Sequence, residues 1–173
     1  MAGKYKAFII ALLLALAADQ ASKEWARRSL QPRYPNVVTV IPGFWEFRYS
    51  ENTGSAFGLF RSIPGARYLF FIVGAGALIV VSNYLRKAKP GQLRLGAELG
   101  LLAGGAVGNI IDRAWFHKVT DFIVWKIGSH EWPTFNIADA ALVLGVIGLL
   151  FDLKPDDKAA KAKESAAPSR KRT

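Results

Sequence analysis

Cysteine is absent from this 173-residue chain, and histidine occurs only twice. The first absence excludes a disulfide scaffold and any zinc or iron–sulfur centre held by thiolates. It also removes disulfides as a clue to compartment. The second leaves little for histidine chemistry. His130-Glu131 has no second His at metalloprotease spacing, and a serine protease would have to find its base between His117 and His130. Acid is scarce as well, with 13 Asp and Glu against 23 Lys and Arg and a formal net charge of +10. A basic soluble protein could bind nucleic acid. Here, however, the charge sits at the ends of long apolar runs in a chain that is 51% hydrophobic. That distribution points to a membrane and away from nucleic acid. The length fits one domain.

Four apolar runs are present. The first, Ala7 to Ala18, follows Lys4 and Lys6, precedes Asp19-Gln20, and can continue helically to Ala26. The second is the uncharged stretch of 18 residues between Arg67 and Arg86; the third, Leu95 to Ile111, carries only Glu98. The fourth runs from Phe135 to Leu153 and, at ~1.5 Å per residue, is roughly 28 Å long, close to the ~30 Å hydrocarbon core. Gly100, Gly104 and Gly108 recur every four residues in the third run, a pattern for close helix packing. The first run also reads as a signal peptide, with Lys4 and Lys6 as its basic region and Ala15-Leu16-Ala17 as a cleavage site. Cleavage would leave three spans; retention leaves four, with both termini on one side. Charge favours retention. In the four-span topology one side holds 13 basic residues in 35 and the other 9 in 62, so the denser side, with both termini, is cytoplasmic.

The outer segments, about 30–62 and 113–133, read as β structure. Val37 to Ile41 is β-branched, Pro42-Gly43 supplies a turn, and Trp45, Phe47 and Tyr49 then share one face of a second strand. Val119 to Ile127 is also strand-like. The expected fold is therefore a membrane all-α core of four transmembrane helices, residues 1–153, with a small β-sheet on its outer surface. Residues 154–173 form a basic Ala/Lys/Ser-rich tail that reads as disordered.

Ionisable groups in or beside transmembrane segments are costly, so each asks for a reason. Glu98 and Asp152 lie close to the cytoplasmic helix ends and can reach water. Asp19, Asn109, Asp112, Asn136 and Asp139 fall toward the outer half of the bilayer, and Asn52 and Asp121 lie in the outer segments. Asn109, Asp112 and Arg113 are spaced i, i+3, i+4 and are expected on one helix face. Asp112 opposes the macrodipole at that helix end, unless it pairs with Arg113 or caps the helix. Pro133 suits a helix start, which would put Asp139 beyond the first turn, where the dipole no longer explains it. Asp121 interrupts a strand-like apolar run, with pairing to Arg113 or Lys118 as its plain explanation. Two carboxylates meeting at low dielectric share a proton, so one can activate a water while the other polarises a carbonyl. Asp121 and Asp139, joined by a short segment, are the pair best able to meet.

Five segments together resemble the lipoprotein signal peptidase family, also called signal peptidase II. They are Asp19 to Lys23, Asn52 to Phe57, Gly104 to Arg113, Val119 to Phe122 and Phe135 to Ala140. Ser55, Gly58 and Ala140 depart from the residues expected there, but the acidic positions are intact. The resemblance implies an intramembrane aspartic endopeptidase of the bacterial inner membrane, with four helices, cytoplasmic termini and an active site near the periplasmic face. Such enzymes remove signal peptides from prolipoproteins by cutting before a diacylglyceryl-modified cysteine. It implies Asp121 and Asp139 as the catalytic pair. Asn52, Asn109, Arg113 and Asn136 would line the site, with Asp112 and Asp19 as supporting polar positions. It implies no metal or cofactor, partners that are prolipoprotein signal peptides and membrane lipids, inhibition by globomycin, and action as a monomer. On this reading Trp45, Phe47 and Tyr49 sit on the membrane and cradle the substrate. The rival readings are a small ion-coupled transporter using the acids as a relay, and a scaffold in which Asp112 pairs with Arg113.

Overall fold

The third apolar run becomes the helix against which all the others pack. A computed structural model describes residues 3–53 and 66–152. In chain order these form α1 (Gly3–Ser29), β1 (Val37–Ile41), β2 (Trp45–Asn52), α2 (Ala66–Lys87), α3 (Leu93–Phe116), β3 (Val119–Ile127), β4 (His130–Glu131) and α4 (Ile137–Asp152). Gly54 to Phe57, Gly58 and the tail 154–173 lie outside the described residues.

The small residues of α3 explain its central place. A Cβ on Gly100 would meet Ala11 at 2.9 Å, and one on Gly104 would meet Ala15 and the Leu12 carbonyl, both at 2.8 Å. The glycine stripe therefore lets the backbones of α1 and α3 touch. Ala15, part of the suspected cleavage signal, is a buried packing partner in the middle of α1. On another side of α3, a Cβ at Gly105 would strike Leu142 of α4 at 2.9 Å. Val81 and Leu85 of α2 close a core with Leu99 and Ala103 of α3.

The outward faces stay apolar. Leu69, Phe71, Ile72 and Val73 on α2, and Val143, Leu144, Ile147 and Leu150 on α4, are exposed. A soluble protein would not leave such faces to water. Two described helices, α1 and the Tyr68–Lys87 part of α2, are long and apolar enough to cross a membrane.

The four strands form one antiparallel sheet in the order β1-β2-β3-β4. The turn between β1 and β2 closes with Phe44 N–H donating to the Ile41 carbonyl at 3.0 Å, and Gly43 takes the positive φ of 74° that the turn needs. Trp45, Phe47 and Tyr49 do share a face, but it turns inward. They pack around Ala26 and Leu30 of α1 and Phe122 and Ile123 of β3, with Trp25 set edge-on to Phe47 at 5.2 Å. The expectation of an aromatic face laid on the membrane is thus corrected: α1 extends past the apolar run to Ser29, and its last turns offer the sheet a partner.

Candidate active site

Asp121 enters the site because β3 is buried over its first six residues, Val119 to Val124. Phe135 is stitched to this strand: its carbonyl accepts from Ile123 N–H at 2.9 Å, and its N–H donates to the Ile123 carbonyl at 3.0 Å. Asn136, the next residue, is thereby set beside Asp121 at the start of α4. Its fully buried side chain donates from Nδ2 to Asp121 Oδ1 at 2.7 Å and to Asn109 Oδ1 at 3.2 Å. Asn52 supplies the second clasp, donating from Nδ2 to Asp121 Oδ2 at 3.1 Å. The β2–β3 register makes this reach possible. Asn52 pairs with Val119, two residues from Asp121 and on the same face.

Asp139 is held by reciprocal capping. Its N–H donates to Asn136 Oδ1 at 3.0 Å, while its Oδ2 accepts from Asn136 N–H at 3.2 Å. The helix begins at Ile137, so Asp139 lies in the first turn, and the expectation that it lies beyond the dipole's reach is corrected. The cause is the preceding segment, which stays extended through Phe135 to bridge β3. Asp139 Oδ1 accepts from Asn109 Nδ2 at 2.9 Å. Asn136 therefore touches both acids directly.

Burial pushes the Asp121 carboxyl up from its ordinary 3.8 to about 7, and the nearby charge of Asp139 adds to this. The donors Asn52 and Asn136 pull the other way and do not prevail.

Behind these groups lies a cluster of charges. Lys23, fully buried, reaches Asp19 Oδ2 and Asn109 Oδ1, each at 2.9 Å, and Asp112 Oδ2 at 3.6 Å. Asp19 Oδ1 accepts from Ala138 N–H at 2.9 Å, tying α1 to α4. Asp112 Oδ2 accepts from Thr120 N–H at 2.9 Å, and its Oδ1 faces Arg27 at 3.6 Å. Asp112 thus pairs with α1 and β3, and the alternative pairing with Arg113 is not made among the described residues. Adjacent positions on a helix point about 100° apart. Arg113 accordingly turns away, donating from Nη1 to the Asn109 carbonyl at 3.2 Å and lying 5.1 Å from the Phe70 ring centre. Asp121 likewise meets amides, while Lys118 pairs with Glu51 at 2.7 Å.

Asn52, Asn109, Arg113 and Asp139 form the polar wall of a cleft of about 360 Å³. Phe70, Val73 and Ala77 of α2 and Leu142 of α4 supply its apolar side. All eight expected site residues thus fall in one connected region, Asp19 and Asp112 behind the wall. Sequence reasoning assigned no part to Lys23 or Arg27. The signal was available in Asp19 and Lys23 at i, i+4 on a helix carried past its apolar run.

At the other end, Glu98 does not reach water as expected. It is buried, with Arg94 Nε donating to Oε1 at 2.8 Å, and Asp152 shares the same arginine at 3.2 Å.

The chain matches the family model described as Signal peptidase (SPase) II over residues 10–154. A lipoprotein signal peptidase of Xanthomonas euvesicatoria pv. vesicatoria is 41% identical over 150 residues, covering 84% of this chain and 86% of the relative. One of Xylella fastidiosa is 40% identical over 158 residues, covering 87% and 93%. A bacterial membrane enzyme solved by the in meso method at 1.9 Å superposes with a TM-score of 0.76 at 31% identity, covering 86% of this chain and 93% of the other. A second, at 2.3 Å, gives 0.71 at 28% identity, covering 96% and 93%. A matched model over most of the chain and relatives at such coverage make the conclusion plain: this membrane protein belongs to the signal peptidase II family of aspartic peptidases.

Proposed function

We propose that the chain removes signal peptides from prolipoproteins, cutting before a diacylglyceryl-modified cysteine, with Asp121 and Asp139 as the catalytic pair. The observation that carries this reading is the clasp of both carboxyl groups by Asn136 at the wall of a half-apolar cleft. Asp139, capping a helix N-terminus, is the carboxylate that takes a proton from water as the oxygen attacks the scissile carbonyl carbon. Asp121, protonated because it is buried, donates to the carbonyl oxygen. Collapse of the tetrahedral intermediate breaks the C–N bond: the departing cysteine nitrogen takes the proton held by Asp139, and a hydroxyl of the intermediate returns a proton to Asp121 as the carboxyl product forms. Arg113, Asn52 and Asn109 line the approach, while Asp19 and Asp112 support it from behind.

The apolar α2 wall suits acyl chains and the hydrophobic core of a signal peptide. In this reading residues 1–153 are the peptidase, α1 to α4 all span the bacterial inner membrane, and both termini and the 154–173 tail are cytoplasmic. The site and sheet then face the periplasm, and a globomycin-type peptide competes for the cleft. α1 is retained, since it supplies Asp19 and Lys23 to the site. A transmembrane relay is less well supported, because Glu98 and Asp152 share Arg94 at the far end, apart from the acids of the cleft.

The test is cleavage, in detergent micelles, of a prolipoprotein with and without diacylglycerol on its cysteine. Cleavage of the lipidated form only, lost in Asp121→Asn and in Asp139→Asn, supports the proposal. Near-normal turnover by either folded variant refutes the paired mechanism. Equal cleavage of both substrates refutes the lipid requirement.

A further inference from the structure

The amide of Asn109 stands between a buried cation and an acid of the pair. An ammonium has only donors, whereas a carboxamide has a donor end and an acceptor end. Lys23 Nζ lies 2.9 Å from Asn109 Oδ1, and Asn109 Nδ2 lies 2.9 Å from Asp139 Oδ1. Rotating that amide by 180° would set its NH2 against the ammonium and its oxygen against the carboxyl of Asp139. Asn136 Nδ2 also donates to Asn109 Oδ1, at 3.2 Å, and so reinforces the same sense. Lys23 is itself immobilised, fully buried between Asp19 and Asp112.

We propose that Lys23 is a positioning residue: it holds the Asn109 amide with its NH2 toward Asp139, so that the one proton of the acidic pair rests on Asp121. The inference rests on the pair proposed above. Among the described residues Asp139 then faces two donors, Asn109 Nδ2 and Asn136 N–H, which match an acceptor. Lys23 touches neither acid of the pair; its charge acts weakly on Asp121 against the proton there, and its contact toward Asp139 runs through Asn109. The charged groups facing the pair are Lys23 and Asp19 from α1 and Arg113 and Asp112 from α3; Asp121 and Asp139 themselves come from β3 and α4.

Removing Lys23 alone would strand buried carboxylates, so the test removes charge in pairs. In Lys23→Met with Asp19→Asn, the new carboxamide can still accept from Ala138 N–H, and Asp112 keeps Arg27. The reference is Asp19→Asn alone, and Asp139→Asn is assayed alongside. All are compared by thermal melting and by kcat and KM across pH on the lipidated substrate. Relative to the reference, the double variant should lose about 10- to 100-fold in kcat, with KM within about threefold. Its pH profile should differ from that of the reference, because Asn109 can now offer oxygen to Asp139. An unchanged kcat and profile in the double variant, with Asp139→Asn inactive, overturns the role of Lys23 and leaves the acidic pair standing. A fall in activity that tracks a lower melting temperature, with the profile unmoved, assigns Lys23 to folding and overturns the proposal too. Full activity in Asp139→Asn instead overturns the underlying pair.

Discussion

Helix α1 carries two buried lysines, and they serve different partners. Lys4 donates to the Leu85 carbonyl at 2.8 Å, to that of Arg86 at 3.2 Å and to that of Ala88. These are the backbone acceptors left over at the end of α2, where the helix dipole also favours a cation. Lys23 meets two carboxylates and one amide oxygen, all on side chains. Backbone carbonyls occur at every helix end and would accept any cation of suitable reach. Side-chain acceptors must be placed one by one, and here they come from α1 itself and from α3. The first lysine finishes a helix, and the second belongs to a network that terminates at the acids. The same contrast separates the two buried carboxylates of α3. Glu98 is held by Arg94, one turn away on its own helix, whereas Asp112 is held by Lys23 and Arg27 of α1 and by the Thr120 N–H of β3.

The largest break should come at the point where the network converges. Asn136→Ala removes the donor to Asp121 and the cap on Asp139 together, and should lower kcat by about 10²- to 10³-fold. The capping loss should also cost about 1 kcal/mol of stability, read by melting in detergent. A variant within fivefold of normal turnover would show that Asn136 does not organise the acids.

pH sharpens the comparison next. Native Asp121 holds its proton to about 7, whereas an unfolded Asp releases it near 3.8. Cleavage that needs the protonated form should fall about tenfold per pH unit above 7, measured as kcat/KM. The native state binds more protons than the unfolded state between those two values. This group's contribution to stability is therefore full at acid pH and is lost as pH rises through about 7. A flat profile from pH 6 to 9 would remove Asp121 as a titrating acid.

At the far end the effects should be on stability alone. Lys4→Met should lower stability by about 1–2 kcal/mol, for lost bonds to helix-end carbonyls, with kcat within twofold. A large drop in kcat at unchanged melting temperature would erase the distinction between the two lysines. Arg94→Met with Glu98→Gln should do least, within about 1 kcal/mol and twofold in kcat, because a helical pair with an exposed arginine contributes little.

Much of this was legible in the residues. The apolar runs marked all four helices, since burial in lipid or against α3 requires apolar side chains in either case. Alternation and turn chemistry marked β1, β2 and β3 for the same local reason. The site residues were legible as polar exceptions inside apolar segments. Their partners were less so. Pairing Asp112 with Arg113 assumed that neighbours in sequence face each other, and starting α4 at Pro133 ignored the pull of β3 on Phe135. Both errors placed a local preference above a tertiary contact.

By itself, the sequence determined what periodicity and composition encode: apolar helices, a glycine stripe for a close partner, a small sheet, and acids too costly to be idle. Only the tertiary structure decided which way the aromatic face of the sheet turns, that Asn136 would clasp both acids, and that Lys23 would reach Asn109. Lys23 and Asn109 are 86 positions apart, and the geometry of such pairings is set where helix and strand axes cross. No local periodicity carries that information.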